Sequence, residues 1–365
     1  MANITNFKKL GVSLLALSLL IPMVINSVNA QQVTINGAGA TFPFPLIDTW
    51  RVEYKKVNPD VNINYASIGS GGGIKQFLEK TVDFGATDAP LTKTEFTQAG
   101  NPVHIPETIG SVVVSYNVPG IQDNSLKLSG PVIADIFLGK ITKWDDPRIK
   151  EINPELTLPS NNINVVHRSD GSGTTFVFTD YLSKVSQEWA DKVGTSKSVP
   201  WPTGIGAPGN EGVSASISGT ENSIGYVELA YALTAEMNYA TIQNKDGNFV
   251  IPSINSTMAA VESSATVLPN GSASWSNVSL TNAPGPDSYP ISSFSYIVLY
   301  SELSTNPSIN QQKAESIVDF ISWAITDGQK FSEPLGYVPL PAPVVELNKQ
   351  TLNSLTFNGN PISTN

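Results

Sequence analysis

The residues best suited to chemistry lie in three short segments rich in glycine, serine and threonine. They are Asn36-Gly-Ala-Gly-Ala-Thr-Phe42, Gly69-Ser-Gly-Gly-Gly73 and Asp170-Gly-Ser-Gly-Thr174, each set between a strand pattern and a helix pattern. A helix N-terminus presents unpaired backbone N–H groups and about half a positive charge, which together attract an anion. Glycine lets the anion approach the backbone, and a hydroxyl adds a donor. Arg168 strengthens this reading, because it ends an apolar strand pattern just before the third segment. A guanidinium grips a tetrahedral oxyanion through two parallel hydrogen bonds. Asp170 either holds that fork in place or caps the following helix.

Competing chemistries fail on detail. No Gly-x-x-x-x-Gly-Lys-Ser/Thr occurs, so these are not nucleotide P-loops. The first segment lacks the third glycine of a dinucleotide fingerprint. Ser172 stands in Asp-Gly-Ser-Gly rather than Gly-x-Ser-x-Gly, and His104 and His167 are the only imidazoles available as a base. Two histidines and no cysteine make a poor zinc site and exclude disulfides. Asp145-Asp146 reads as a solvated turn before Pro147. No catalytic residue, metal or cofactor is expected, and the chain is not expected to be an enzyme.

The elements that must position these segments alternate between strand and helix. Val33 to Asn36 reads as a strand, Gly37 to Gly39 as a tight turn, and Phe44 to Val57 as a helix with Leu46, Ile47, Trp50, Tyr54 and Val57 on one face. Val61 to Tyr65 alternates as a strand, Ile68 to Gly73 is a loop, and Ile74 to Thr81 a helix. Further strands are expected at Phe84 to Ala86, Ser111 to Tyr116, Asn164 to His167, Ser223 to Tyr226 and Phe294 to Leu299. Further helices are expected at Ile133 to Leu138, Thr174 to Val185 and Ala314 to Ile325. The pattern predicts an α/β fold with mostly parallel sheets, whose ligand loops lie at the carboxyl ends of the strands. With 365 residues the chain exceeds the ~250–300 at which one core divides.

Lys8 and Lys9, the apolar run Leu10 to Ile25 and Val28-Asn-Ala30 read as a signal peptide over residues 1–30, cleaved before Gln31. The alternative is an uncleaved anchor, but the run of about 16 residues is short of the ~20 a spanning helix needs. Losing the two lysines takes the formal charge from −10 to −12. Such a chain is a poor partner for nucleic acid. Any anion it binds must be held by local dipoles rather than by overall charge.

Longer motifs carry a family resemblance. Gly37-Ala-Gly-Ala-Thr-Phe-Pro43, Val82-Asp-Phe-Gly-Ala-Thr-Asp-Ala-Pro-Leu91, Leu138-Gly-Lys-Ile-Thr-Lys-Trp-Asp-Asp146, Arg168-Ser-Asp-Gly-Ser-Gly-Thr174, Phe176-Val-Phe-Thr179 and Ile224-Gly-Tyr-Val-Glu228 occur in order over nearly the whole mature chain. The sequence resembles the periplasmic phosphate-binding proteins of high-affinity phosphate ABC transporters. The resemblance implies a two-lobed, type II periplasmic-binding-protein fold, with residues 31–108 and 290–365 forming one lobe and 109–289 the other. It implies a periplasmic or cell-envelope monomer that captures inorganic phosphate in the cleft and passes it to the transporter's membrane permease.

The family's ligands fall on the Thr41 and Phe42 backbone N–H groups, the Thr41 hydroxyl, Ser70, Asp88, Arg168, Ser172, Gly173 and Thr174, with Asp170 in support. A carboxylate at Asp88 can accept a hydrogen bond from protonated phosphate but only repels fully ionised sulfate, a penalty of several kcal/mol. The plainer alternative makes Asp88 a turn residue before Ala89-Pro90. Two positions depart from the family pattern: His167 stands where a second arginine is common, and Gly71 where serine is common. The other functions to weigh are a scavenger without a transporter, a receptor for another oxyanion such as arsenate, and an extracellular phosphatase.

Overall fold

The computed structural model describes residues 32–122, 124–264 and 268–362. The expected signal peptide lies outside these residues. Strand β1 (Val33–Gly39) runs parallel to β2 (Val61–Ser67) on one side and to β3 (Phe84–Thr87) on the other. Gly37 and Gly39 therefore do not form the expected turn but finish β1. The physical reason is crowding. A Cβ on Gly39 would fall 2.0 Å from the Ala86 carbonyl oxygen, and one on Gly37 would fall 2.1 Å from the Phe84 ring. Glycine here serves close approach between strands, not chain reversal.

The remaining strands of this sheet are β4 (Pro102–Asn117), β5 (Asn164–Arg168), β6 (Ile205–Ala207), β7 (Ser223–Glu228), β8 (Asn238–Tyr239) and β9 (Ser292–Tyr300). Their order is β2-β1-β3-β9-β4-β7-β5-β6, with β8 also beside β4. The two ends of the sheet are parallel: β2-β1-β3 at one, β7-β5-β6 at the other. The middle is antiparallel, where β9 pairs with β3 and β4, and β4 pairs with β7 and β8. Along β4 the main partner changes: residues up to Ser111 pair with β9, and those from Val112 pair with β7. Every residue of β4 except Asn117 is buried. A strand covered on both faces shows no alternation, so only its Val-rich half was visible in the sequence.

Four helices start just beyond the carboxyl ends of parallel strands: α1 (Phe44–Val57) after β1, α2 (Ser70–Leu78) after β2, α3 (Gly173–Val185) after β5 and α4 (Gly209–Gly219) after β6. Helix α1 starts with Pro45 in its first turn, where a missing N–H does no harm. It buries Leu46, Ile47, Trp50 and Tyr54, but Val57 at its last position is 60% exposed, contrary to the predicted face. Trp50 anchors the helix, donating from Nε1 to the Gly328 carbonyl at 2.8 Å. Burial of a side chain of this size stabilises by about 3 kcal/mol.

Helix α2 begins at Ser70, earlier than predicted, so Gly71 to Gly73 form its first turn. Glycine disfavours helix by about 1 kcal/mol per residue. Packing decides otherwise, since a Cβ on Gly73 would lie 2.3 Å from Gly39 Cα. Among the described residues no helix is long and apolar enough to cross a membrane.

Candidate anion-binding site

Arg168 closes β5 with its side chain buried. Its Nε and Nη2 donate to the two Asp170 carboxylate oxygens at 2.8 and 2.5 Å, a two-pronged grip that fixes the guanidinium plane. The Gly209 N–H also donates to Asp170, at 3.0 Å. Burial pushes the Asp170 carboxyl up, but the Arg168 contacts more than offset this and hold it below the usual range. The cap of α3 is Ser172, whose Oγ accepts from Thr175 N at 3.0 Å. Asp170 thus orients the arginine and Ser172 ends the helix. The remaining edge of the guanidinium, Nη1, points to the hydroxyls of Thr41 (3.2 Å) and Thr174 (3.4 Å).

Ser70 joins the second segment to the third. Its Oγ accepts from Gly173 N at 3.1 Å and from Asp88 N at 3.3 Å. Asp88 follows β3 and is 1% exposed. Its Oδ1 accepts from the Ser295 hydroxyl at 2.8 Å, while its Oδ2 has no hydrogen-bond partner among the described residues. A Cβ on Gly173 would fall 2.4 Å from Asp88 Oδ2 and 2.5 Å from Ser70 Oγ, so this free oxygen lies against the head of α3. Burial pushes the Asp88 carboxyl up to about 7, against the pull of Ser295, Arg168 and Ser70. An acceptor left buried without a donor costs about 1–3 kcal/mol, and it marks where a ligand hydrogen fits.

The two glycine segments nearly touch. Gly71 N donates to the Gly171 carbonyl at 2.8 Å. A Cβ on Gly71 would sit 3.0 Å from Gly171 Cα, so a serine there would force the segments apart. Gly69 has a φ of 83°, and a Cβ on it would meet Asp170 Oδ2 at 2.2 Å. The His167 ring stacks on Trp201, with ring centroids 4.8 Å apart, and its Nδ1 lies 3.0 Å from the Arg168 carbonyl oxygen. Burial lowers its pKa.

Of the residues singled out from sequence, Thr41, Ser70, Asp88, Arg168, Asp170, Gly173 and Thr174 come together. The Phe42 ring is buried in the core, and its carbonyl accepts from Tyr337 at 2.6 Å. The Ser172 hydroxyl is engaged in the helix cap.

Sequence reading missed Asn210. Its Nδ2 donates to Thr41 Oγ1 at 2.8 Å and Thr174 Oγ1 at 3.1 Å, and its Oδ1 accepts from Glu228 N at 3.0 Å. Pro208-Gly-Asn210 at the head of α4 repeats the strand–glycine–helix design, a signal that could have found it. Ser295 and Glu107, which share a hydrogen bond of 3.0 Å behind Asp88, carried no such signal. Arg168 and Asp170 balance each other's charge, leaving hydroxyls, helix heads and one free carboxylate oxygen to define the site. Among the described residues no cluster of histidine and carboxylates could hold a metal ion.

Known proteins resemble this chain over most of its length. Residues 26–327 match the family model described as the PBP superfamily domain. The phosphate-binding protein PstS of Haemophilus influenzae is 46% identical over 325 residues, covering 88% of this chain and 92% of that one. Its counterpart in Methanocaldococcus jannaschii is 40% identical over 376 residues, covering 95% and 96%. The solved high-affinity periplasmic phosphate-binding protein PfluDING, at 20% identity, superposes with a TM-score of 0.68 over 91% of this chain and 96% of its own. That likeness shows the fold, the two-lobed architecture of periplasmic binding proteins. By its closer relatives, the chain belongs to the PstS family of phosphate-binding proteins.

Proposed function

We propose that this chain captures inorganic phosphate outside the cytoplasmic membrane and delivers it, chemically unchanged, to the permease of a phosphate ABC importer. The observation that carries this reading is Asp88 Oδ2, a buried acceptor with no donor beside the head of α3. A phosphate that keeps a proton supplies the missing donor, and sulfate does not. The donors proposed for the anion are the Thr41, Ser70, Ser172 and Thr174 hydroxyls, the Arg168 guanidinium and the backbone N–H groups of Thr41 and Phe42, together with that of Gly173, which here donates to the Ser70 oxygen. Charge-assisted bonds of about 1.5–3 kcal/mol each can exceed the ~8 kcal/mol of micromolar binding after desolvation losses.

Residues 31–108 and 290–365 form one lobe and 109–289 the other, a division supported by the change of partner along β4 at Ser111 and Val112. Closure of the lobes on phosphate is the signal read by the permease. The protein is a monomer, exported by the signal peptide at residues 1–30, and its charge, −10 for the full sequence and −12 after cleavage, disfavours nucleic acid.

The same geometry argues against a phosphatase. His104 accepts from Leu91 N at 3.1 Å, His167 stacks on Trp201, and the Ser172 oxygen caps α3, so among the described residues no hydroxyl is paired with an imidazole base. Isothermal calorimetry with phosphate and sulfate is the test. Micromolar or tighter binding of phosphate with sulfate excluded is the expected outcome; no binding, or equal binding of both anions, sinks the reading. Amino-terminal sequencing of exported protein should begin at Gln31.

A further inference from the structure

Ser295 poses a problem of proton counting. Its hydroxyl lies 2.8 Å from Asp88 Oδ1 and 3.0 Å from Glu107 Oε1. It has one hydrogen and can donate to one carboxyl only. The second contact is a hydrogen bond only if the other carboxyl carries a proton and donates to the serine oxygen. All three side chains are buried, so water does not resolve the conflict.

The neighbours decide which acid is protonated. Asp88 faces the Arg168 guanidinium and the Ser70 hydroxyl, both favouring its charged form. The forces on Glu107 are burial, Ser295 and the Asp88 charge, with no basic group among them, and its Oε2 has no partner. The other titratable groups that sense the pair are Glu228, Tyr65, Tyr296 and Tyr337, all acids, so none of them brings a positive charge to favour a second carboxylate.

The backbone has placed Glu107 there. β9 pairs Ser295 with Thr108 and Tyr296 with Pro106, so Glu107 is the extra residue of a β-bulge. Bulges re-aim a side chain that regular pleating would send to the opposite face.

We infer that Glu107 is a positioning residue for the anion site: it holds a proton, donates it to Ser295, and so fixes the Ser295 hydroxyl as a donor to Asp88 Oδ1. Asp88 is thereby kept ionised and oriented, with Oδ2 free to accept from the anion. The inference rests on the phosphate reading of the site.

The test compares phosphate affinity of the wild type, Glu107→Gln and Glu107→Leu from pH 6 to 9. Taking the ratio of Kd values at each pH removes the titration of phosphate itself. Glutamine keeps a donor to Ser295 and has no proton to lose. Relative to this variant, the wild type should weaken by about tenfold as pH rises across that range, because Glu107 ionises. Leucine has no donor and should bind about tenfold more weakly than glutamine at pH 6. A flat ratio, or equal binding by leucine and glutamine, overturns the inference while leaving the phosphate reading intact. Failure of the wild type to bind phosphate removes both.

A second measurement needs no variant. In phosphate-loaded wild type, carbon-13 labelling of aspartate carboxyls should leave every infrared band of protonated carboxyl in place. A band that shifts puts the proton on Asp88 and overturns the assignment.

Discussion

Gly173 and Asp88 stand so close that a β-carbon on the glycine would fall 2.4 Å from the free carboxylate oxygen. The head of α3 and the unpaired Oδ2 of Asp88 thus share a single narrow space. Gly173→Ala should push Asp88 and Ser70 aside, with overpacking that destabilises the ligand-free protein by about 1–3 kcal/mol. Phosphate affinity should fall at least about a hundredfold, and calorimetry together with thermal melting would check both effects. Near-normal affinity would show that the oxygen does not face the ligand.

Asp88→Asn replaces a charged acceptor by an amide that can donate. Sulfate should then be tolerated, and the preference for phosphate over sulfate should drop by about a thousandfold. Competition calorimetry with the two anions measures it. Unchanged selectivity would count against Asp88 as the filter.

Arg168→Ala removes the guanidinium that grips Asp170 in two places and the donor aimed at Thr41 and Thr174. Phosphate binding should become undetectable at micromolar protein. Arg168→Lys should not restore it, because an ammonium cannot grip Asp170 in two places and still reach forward. Recovery by lysine would mean that charge alone matters here.

Stability should depend on pH in an unusual direction. Burial pushes Asp88 up to about 7 and Glu107 up to about 8, and Glu228 well above the usual range. A carboxyl raised on folding stabilises fully below its unfolded value near 4, and that contribution is lost as pH rises through the folded value. The ligand-free protein should therefore melt at progressively lower temperature from pH 5 to pH 8. Glu107→Gln should flatten the slope by up to about 1.4 kcal/mol per pH unit. A melting temperature that rises across this interval would contradict the burial of these acids.

Lys197 and Glu95 join residues far apart in sequence, with Nζ at 2.9 and 3.0 Å from the two carboxylate oxygens. In the proposed division they belong to opposite lobes. Lys197→Gln should hasten phosphate release several-fold with little change in capture rate, as stopped-flow fluorescence would report. An effect on capture alone would place the pair outside the closing surface.

Much of this was legible in the sequence because local signals agreed with the fold. α1 and α3 announce themselves through apolar periodicity, with Pro45 opening one and Ser172 capping the other. Errors arose where close packing overrode local propensity. Gly37 and Gly39 read as a turn because their roles against Phe84 and Ala86 involve residues nearly fifty positions away. Gly71 to Gly73 read as a loop for the same reason.

The site was visible where it is built from strand–glycine–helix units, and hidden where it depends on the sheet. Asn210 is an exception: it heads such a unit, but no serine, threonine or arginine stands beside it to mark the segment. Glu107 and Ser295 meet only because a bulge shifts the register of two strands, and no periodicity in one strand reports a bulge in its pairing.

That bulge sits on the two antiparallel strands at the middle of the sheet, between its parallel ends. In the proposed division Asp88, Glu107 and Ser295 all belong to the lobe of residues 31–108 and 290–365. Lobe movement should therefore carry the acid, its hydroxyl and the carboxylate together, and the bulge keeps the proton's place within one half of the cleft.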